Sequence, residues 1–228
     1  MMDPLDNPVW QALIGPQAHW AIGRCAARHY PRDVTPFSAI AEPTPTAYAD
    51  LAADLPAGLE ARLFRPANEP TPEGWQTISA RPILQMVFGE QGVPNDALAP
   101  LTLGPEHASD MLALAAAAKP GPFDRRTVEL GHYVGVWHDG RLIAMAGERL
   151  RVAGYVELSA ICTAPEARGR GLGGALTRHL MRRVIAAGDR PFLHVYPDNP
   201  AMGLYEKLGF RVRRQLYVLW RKPGRGET

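Results

Sequence analysis

Two cysteines stand in 228 residues, Cys25 and Cys162. That is too few for a disulfide framework, and no Cys/His spacing suggests zinc or another metal. The scarcity predicts a reducing compartment. No stretch approaches the roughly eighteen consecutive apolar residues of a membrane span. The opening Met-Met-Asp-Pro-Leu-Asp-Asn-Pro has neither the basic nor the apolar part of a secretory leader. The expectation is a cytoplasmic protein without membrane contact. A strong excess of one charge is also missing, and a net charge of +2 argues against a nucleic-acid partner. The basic residues at 168–183 and 211–225 are matched by acids elsewhere. They read as solvated faces, the second on an edge strand, although a basic tail also suits an acidic substrate. A Gly-Lys-Ser/Thr ending is absent, which removes a nucleoside triphosphate loop. No internal repeat is visible.

What the chain does have is Arg168-Gly169-Arg170-Gly171-Leu172-Gly173-Gly174, at the head of a segment whose Leu172, Leu176, Leu180 and Val184 repeat with helical spacing. A glycine in a helix costs about 1 kcal/mol relative to alanine, so three at one helix start need another reason. Unshielded backbone N–H groups and the helix dipole suit an anion, and Arg168 and Arg170 add full charges. A phosphate-bearing ligand is expected. Gly169, Gly171 and Gly174 also align with Gly-x-Gly-x-x-Gly, and Asp189 follows at about the twenty-residue spacing of a dinucleotide fold. Two mismatches count against that reading and the oxidoreductase it implies. Residues 164–167 separate strand from loop, and Asp189 precedes the following strand, Pro191–Val195, instead of ending it.

Up to residue 98 the chain shows a helix over Pro8–Ile14 and an extended segment over Trp20–Tyr30. Then come a strand at Phe37–Ala41, a helix over Pro45–Ala53, and strands at Glu60–Phe64 and Thr77–Phe88. A boundary falls at residues 94–99. Beyond it the pattern predicts a strand at Leu101–Leu103, a helix over Pro105–Ala118 and a helical turn at Arg125–Leu130. Strands Tyr133–Trp137 and Arg141–Arg151 meet at the turn signal Asp139-Gly140. Strand Tyr155–Thr163, a helix over Gly171–Ala187, strand Pro191–Tyr196, a helix over Ala201–Leu208 and strand Phe210–Arg221 complete the α/β pattern.

Two blocks carry a resemblance. Arg168-x-x-Gly171-x-Gly173, after a strand ending Ile161-Cys162-Thr163, resembles the pyrophosphate loop of the GNAT superfamily of N-acetyltransferases. Asn199-x-Ala201-x-x-Leu204-Tyr205-x-x-Leu208-Gly209-Phe210 is similar to that family's second signature. The resemblance covers roughly residues 100–222. It implies a GNAT fold, a mixed and mostly antiparallel central sheet flanked by helices, as a catalytic domain over residues 99–228. Residues 1–98 would be an α/β region forming a substrate wall, similar to the incomplete companion half of some two-part GNAT proteins.

The resemblance further implies acetyl-CoA as acyl donor, no metal, and direct transfer to the amine of a small molecule or peptide by a monomer or homodimer. Arg168, Gly169, Arg170, Gly171, Leu172, Gly173 and Gly174 would hold the pyrophosphate. The backbones of Ile161, Cys162 and Thr163 would pair with the pantetheine arm and supply an oxyanion donor; plain strand pairing, and a buried hydrophobe at Cys162, are the alternatives. Asn199 would touch the cofactor while capping a helix.

Glu157 interrupts an apolar strand eleven residues before Arg168, the register of the glutamate base in the histone-acetylating branch. Partial burial would raise its pKa toward a useful value; a structural carboxylate paired to an arginine is the alternative. Tyr205 occupies the family's general-acid position. His194 shares a strand face with Phe192 and Tyr196 and reads as a core histidine or a proton relay. A non-catalytic acyl-CoA-binding module is the rival function.

Overall fold

The computed structural model describes residues 3–89, 92–93 and 98–224. The expected boundary therefore lies mostly outside the described residues. In chain order the elements are α1 (Pro8–Ile14), β1 (Ala27–His29), β2 (Ser38–Ile40), α2 (Pro45–Asp54), β3 (Ala61–Arg65) and β4 (Trp75–Phe88). They continue with β5 (Leu101–Leu103), α3 (Ala108–Ala118), β6 (Tyr133–His138), β7 (Arg141–Val152) and β8 (Tyr155–Thr163). The last four are α4 (Leu172–Ala186), β9 (Arg190–Val195), α5 (Met202–Lys207) and β10 (Phe210–Pro223).

Local chemistry accounts for many of these limits. Asp139 and Gly140 both take positive φ, 48° and 73°, the geometry of the two-residue turn that joins β6 to β7. Thr44 opens α2 by accepting a hydrogen bond from the Ala47 amide at 3.2 Å, with Pro45 in the first turn. The segment after Trp20 is not extended as its composition suggests. A 3-10 turn covers Ala18–Trp20, and Gly23 and Cys25 at positive φ break the run before β1.

Eight strands form one sheet in the order β3-β10-β4-β9-β8-β7-β6-β5. Only β8 and β9 run parallel; the other neighbours are antiparallel. This is the mixed, mostly antiparallel sheet expected, and its strands run from Ala61 to Pro223, while β1 and β2 pair separately. On one face Leu176, Leu180 and Val184 of α4 pack on Val156, Leu158 and Leu193. On the other, α1 places Val9 and Leu13 against Leu150, Phe192 and Leu216, and α3 covers Met145 and Cys162. No helix among the described residues is long and apolar enough to cross a membrane.

The sheet crosses residue 98. β4 lies between β9 and β10, and β3 flanks β10. β10 is thus an interior strand, not the edge strand its arginines suggest. Arg213 and Arg214 donate to Asp6 Oδ1 at 2.8 and 2.6 Å, and Arg221 is fully buried, donating to the Tyr48 hydroxyl and the Glu69 carbonyl. These charges fasten the N-terminal elements to the last strand.

One irregularity creates the site. β8 pairs with β9 only over Tyr155–Glu157. Ala160 then adopts φ 52°, and the β7–β8 register shifts between Met145 and Gly147. A bulge of this kind bends its strand, so β8 leaves β9 and a gap opens in the middle of the sheet.

Candidate active site

A cavity of about 970 Å³ occupies the gap. Ile161, Cys162 and Thr163 form its β8 wall, Arg168, Asn199 and Tyr205 lie toward the glycine loop, and Phe37, Arg62, Phe64 and Arg81 come from the first hundred residues. Six of the expected site residues are therefore brought together in one wall. Gly169, Arg170, Gly171, Leu172, Gly173 and Gly174 are not in the wall itself; they adjoin it at Arg168, and at Gly173, which stands beside the wall residues Ile161 and Thr163.

Within the loop the glycines differ. Gly169 and Gly171 take φ 77° and 75°, so their backbone conformation alone accounts for them. The helix begins at Leu172, with Gly171 as its left-handed cap, and only Gly173 and Gly174 fall in its first turn. A Cβ on Gly174 would meet Leu204 of α5 at 3.3 Å; this glycine serves helix packing. At Gly173 a Cβ would stand 3.8 Å from Thr163 Oγ1 and 3.9 Å from Ile161 Cγ2, on the side of the cavity wall. It keeps that approach clear of side chain while the first-turn amides remain without intrahelical acceptors. A pyrophosphate fits this cradle, with exposed Arg168 and Arg170 on the same loop.

Asn199 caps a turn ahead of α5, not the helix itself. Its Oδ1 accepts from the Ala201 amide at 2.8 Å, and α5 starts at Met202. Tyr205 is buried, and its hydroxyl has no hydrogen-bond partner among the described residues. Burial, and then the Cys162 thiol, push its pKa up to about 12. Burial likewise pushes the Cys162 thiol up to about 12, so Cys162 is the small buried group that the composition allowed.

Glu157 departs from expectation in its titration. It is 0% exposed and sits behind the cavity wall. Burial works to raise its pKa, but Arg149 and His194 outweigh it and hold the carboxyl down at about 2. Arg149 donates through Nη2 to Oε1 at 2.7 Å and through Nε to Oε2 at 2.9 Å, a bidentate pair. His194 Nδ1 lies 2.7 Å from the same Oε1.

The histidine tautomer follows from its other neighbour. Arg213 Nη1 donates to Gln85 Oε1 at 2.8 Å, and Gln85 Nε2 donates to the Leu5 carbonyl at 2.8 Å. This fixes which end of the amide is nitrogen. Gln85 Nε2 then faces His194 Nε2 at 3.2 Å as a donor, so Nε2 accepts and Nδ1 carries the proton given to Glu157. Arg149 and Gln85 were not singled out from the sequence. For Arg149 a signal existed: a charge inside an apolar strand, eight positions before Glu157 across a tight turn. For Gln85, on a strand distant in sequence, there was none.

Asp189, the acid that a dinucleotide site would need, is bound to Arg151, with Oδ2 2.7 Å from Nη1. Among the described residues no group of three or more His, Cys, Asp or Glu side chains is arranged to hold a metal ion.

Comparison with known proteins agrees with this geometry. The model of the FR47-like protein family matches residues 133–219. A 70-residue stretch is 41% identical to a mycothiol acetyltransferase of Corynebacterium aurimucosum, covering 30% of this chain and 23% of that protein. The chain thus spans under a quarter of the length of that relative. A GCN5-related N-acetyltransferase from Kribbella flavida shares the fold, with a TM-score of 0.62 at 21% identity over 93% of both chains. A crystal structure of a putative acetyltransferase from the GNAT family of Novosphingobium aromaticivorans superposes with a TM-score of 0.90 at 39% identity, covering 98% of this chain and 100% of that one. Similarity of this extent, 39% identity over nearly the whole of both chains, makes the chain a member of the GNAT family of acetyltransferases.

Proposed function

We propose that this protein transfers the acetyl group of acetyl-CoA directly to the primary amine of a small molecule or peptide. The observation that carries the reading is the single cavity wall that joins Arg168 to the strand end Ile161–Thr163 and Tyr205, with Gly173 of the anion cradle standing against Ile161 and Thr163 of that wall. Acetyl-CoA would supply the acetyl group as a thioester. Gly169 to Gly174 and Arg168 bind its pyrophosphate, and the β8 edge beyond Glu157 offers backbone groups to the pantetheine amides. A backbone N–H of Ile161–Thr163 stabilises the negative charge that develops on the carbonyl oxygen.

Tyr205 donates a hydrogen bond to the departing sulfur. With its pKa at about 12, against about 8.5 for an ordinary thiol, the phenol stabilises a thiolate without giving up its proton completely. Glu157 acts as a positioning carboxylate. Both of its oxygens are engaged, and at a pKa of about 2 it is a poor proton acceptor at neutral pH. It orients Arg149 and His194 behind the acceptor. The amine therefore reacts from its neutral form, which the arginines around the cavity favour over the ammonium. The C–N bond forms as the C–S bond breaks, and the proton that nitrogen loses ends on the departing sulfur, giving free CoA thiol. The first 98 residues form the acceptor wall through Phe37, Arg62, Phe64 and Arg81.

The test is thiol release from acetyl-CoA across an amine panel. Tyr205→Phe should lower kcat by roughly 10²-fold and leave CoA binding unchanged. Thiol release that no amine stimulates, from protein that binds CoA, would point instead to a non-catalytic acyl-CoA-binding module.

A further inference from the structure

Three arginines face the acceptor part of the cavity, and they differ in what already satisfies them. Arg149 is bidentate with Glu157. Arg81 lies 3.4 Å from Asp198 Oδ2 and 4.2 Å over the Tyr196 ring. The side chain of Arg62, on β3, makes no hydrogen bond or ion pair with any described residue. Its guanidinium stacks 4.3 Å over the Trp220 ring, which anchors the plane and leaves the N–H edge available to the cavity that Arg62 lines.

The groups around Arg62 leave its guanidinium without an ion pair, although Glu60 lies close enough to be felt. Glu60 is the nearby acid, and its Oε2 accepts from Trp220 Nε1 at 2.6 Å. Arg32 brings a second positive charge. Burial first, and Arg32 next, push the Arg62 pKa down, outweighing the opposing effects of Glu60 and Tyr196. A half-buried, stacked guanidinium has the fork that matches a carboxylate or phosphate through two parallel hydrogen bonds.

We propose that the acceptor is an amine carrying an anionic group, a carboxylate or a phosphate, and that Arg62 seats this group while the amine reaches the gap between β8 and β9. The word amine rests on the acyl-transfer reading above; the anion seat stands without it. Seating the anion on β3 makes the N-terminal part a specificity element. It also holds the amine among positive charges that favour its reactive neutral form.

The experiment measures binding to CoA-saturated protein by calorimetry. The probes are ω-amino carboxylates and aminoalkyl phosphates of increasing chain length, each beside its neutral amide or alcohol. At least one anionic probe should bind about tenfold or more tightly than its neutral partner, the size of a charge-assisted pair. The two series separate carboxylate from phosphate. Arg62→Gln should abolish that preference with CoA affinity unchanged, and Arg62→Lys, which keeps the charge but loses the fork, should retain part of it. The lysine variant also covers a glutamine variant that fails to fold. Neutral partners binding as well as the anions, no measurable binding of any anionic probe, or a preference that survives Arg62→Gln would each overturn the proposal. An intact preference with no thiol release for any probe would leave the anion seat standing and remove acyl transfer.

Discussion

Gly171 and Gly173 stand two residues apart and answer to different physics, which gives them opposite expected behaviour on substitution. Gly171 holds φ 75°, where an L side chain costs roughly 1–2 kcal/mol. Gly171→Ala should therefore lower stability and CoA affinity together. Gly173 has ordinary helical backbone, so Gly173→Ala should raise stability by up to about 1 kcal/mol. The added methyl would nevertheless face Thr163 and Ile161, where the proposed cradle would receive the pyrophosphate, and should raise KM for acetyl-CoA. Thermal melts and CoA titrations of the two variants check this. A Gly173→Ala protein with unchanged CoA affinity would remove the cradle reading. These glycines were legible as a departure from helix preference because that pattern is local, but their separate jobs were not. A positive φ, or a neighbour across a helix contact such as Leu204, is not written in the heptapeptide.

At the scale of elements, β7 and β8 are joined by more than their ladder. The Arg149–Glu157 pair spans them, buried between the sheet and Phe37, whose ring lies 4.7 Å from the Arg149 guanidinium. A folded pKa of about 2, below the ordinary 4.5, means that the pair contributes stability present above pH 4.5 and lost as pH falls toward 2. At about 1.4 kcal/mol per pKa unit the loss is about 3 kcal/mol in that window. Urea midpoints from pH 7 down to 2 should show it in the native protein. The loss should shrink in the double variant Arg149→Met, Glu157→Leu, which replaces both charges. Glu157→Gln alone should cost roughly 3–5 kcal/mol at neutral pH, because it strands the buried guanidinium. Glu157 could be marked from sequence as a carboxylate needing a reason. Its environment could not, since burial by itself raises a carboxyl pKa and only the partner reverses the sign.

For the whole molecule, the consequential placement is that of β4. It separates β9 from β10 and pairs with both, and its Gln85 reaches His194. A fragment of residues 99–228, which carries both family motifs, should lack a cooperative melt and CoA binding, because β9 and β10 would each lose a ladder and expose an apolar edge. Adding the 1–98 fragment should restore both, read by circular dichroism and calorimetry. A cooperatively folded 99–228 fragment that binds CoA would show that the first part is only a wall. The acceptor side depends on the same joining, since Arg62 on β3 stacks on Trp220 of β10 across 158 positions of sequence.

The chain by itself determined most of the elements and marked the glycine loop. Helical spacing, the Asp139-Gly140 turn, the glycines after β8 and the Asn199–Phe210 block each depend on residues within about one or two turns of one another. Tertiary structure decided where the first hundred residues go, which charge neutralises Glu157 and which arginine is left over. Strand partners and buried ion pairs are chosen by the closure of the whole sheet, and no local pattern in β3 or β4 names the strand beside which it will lie.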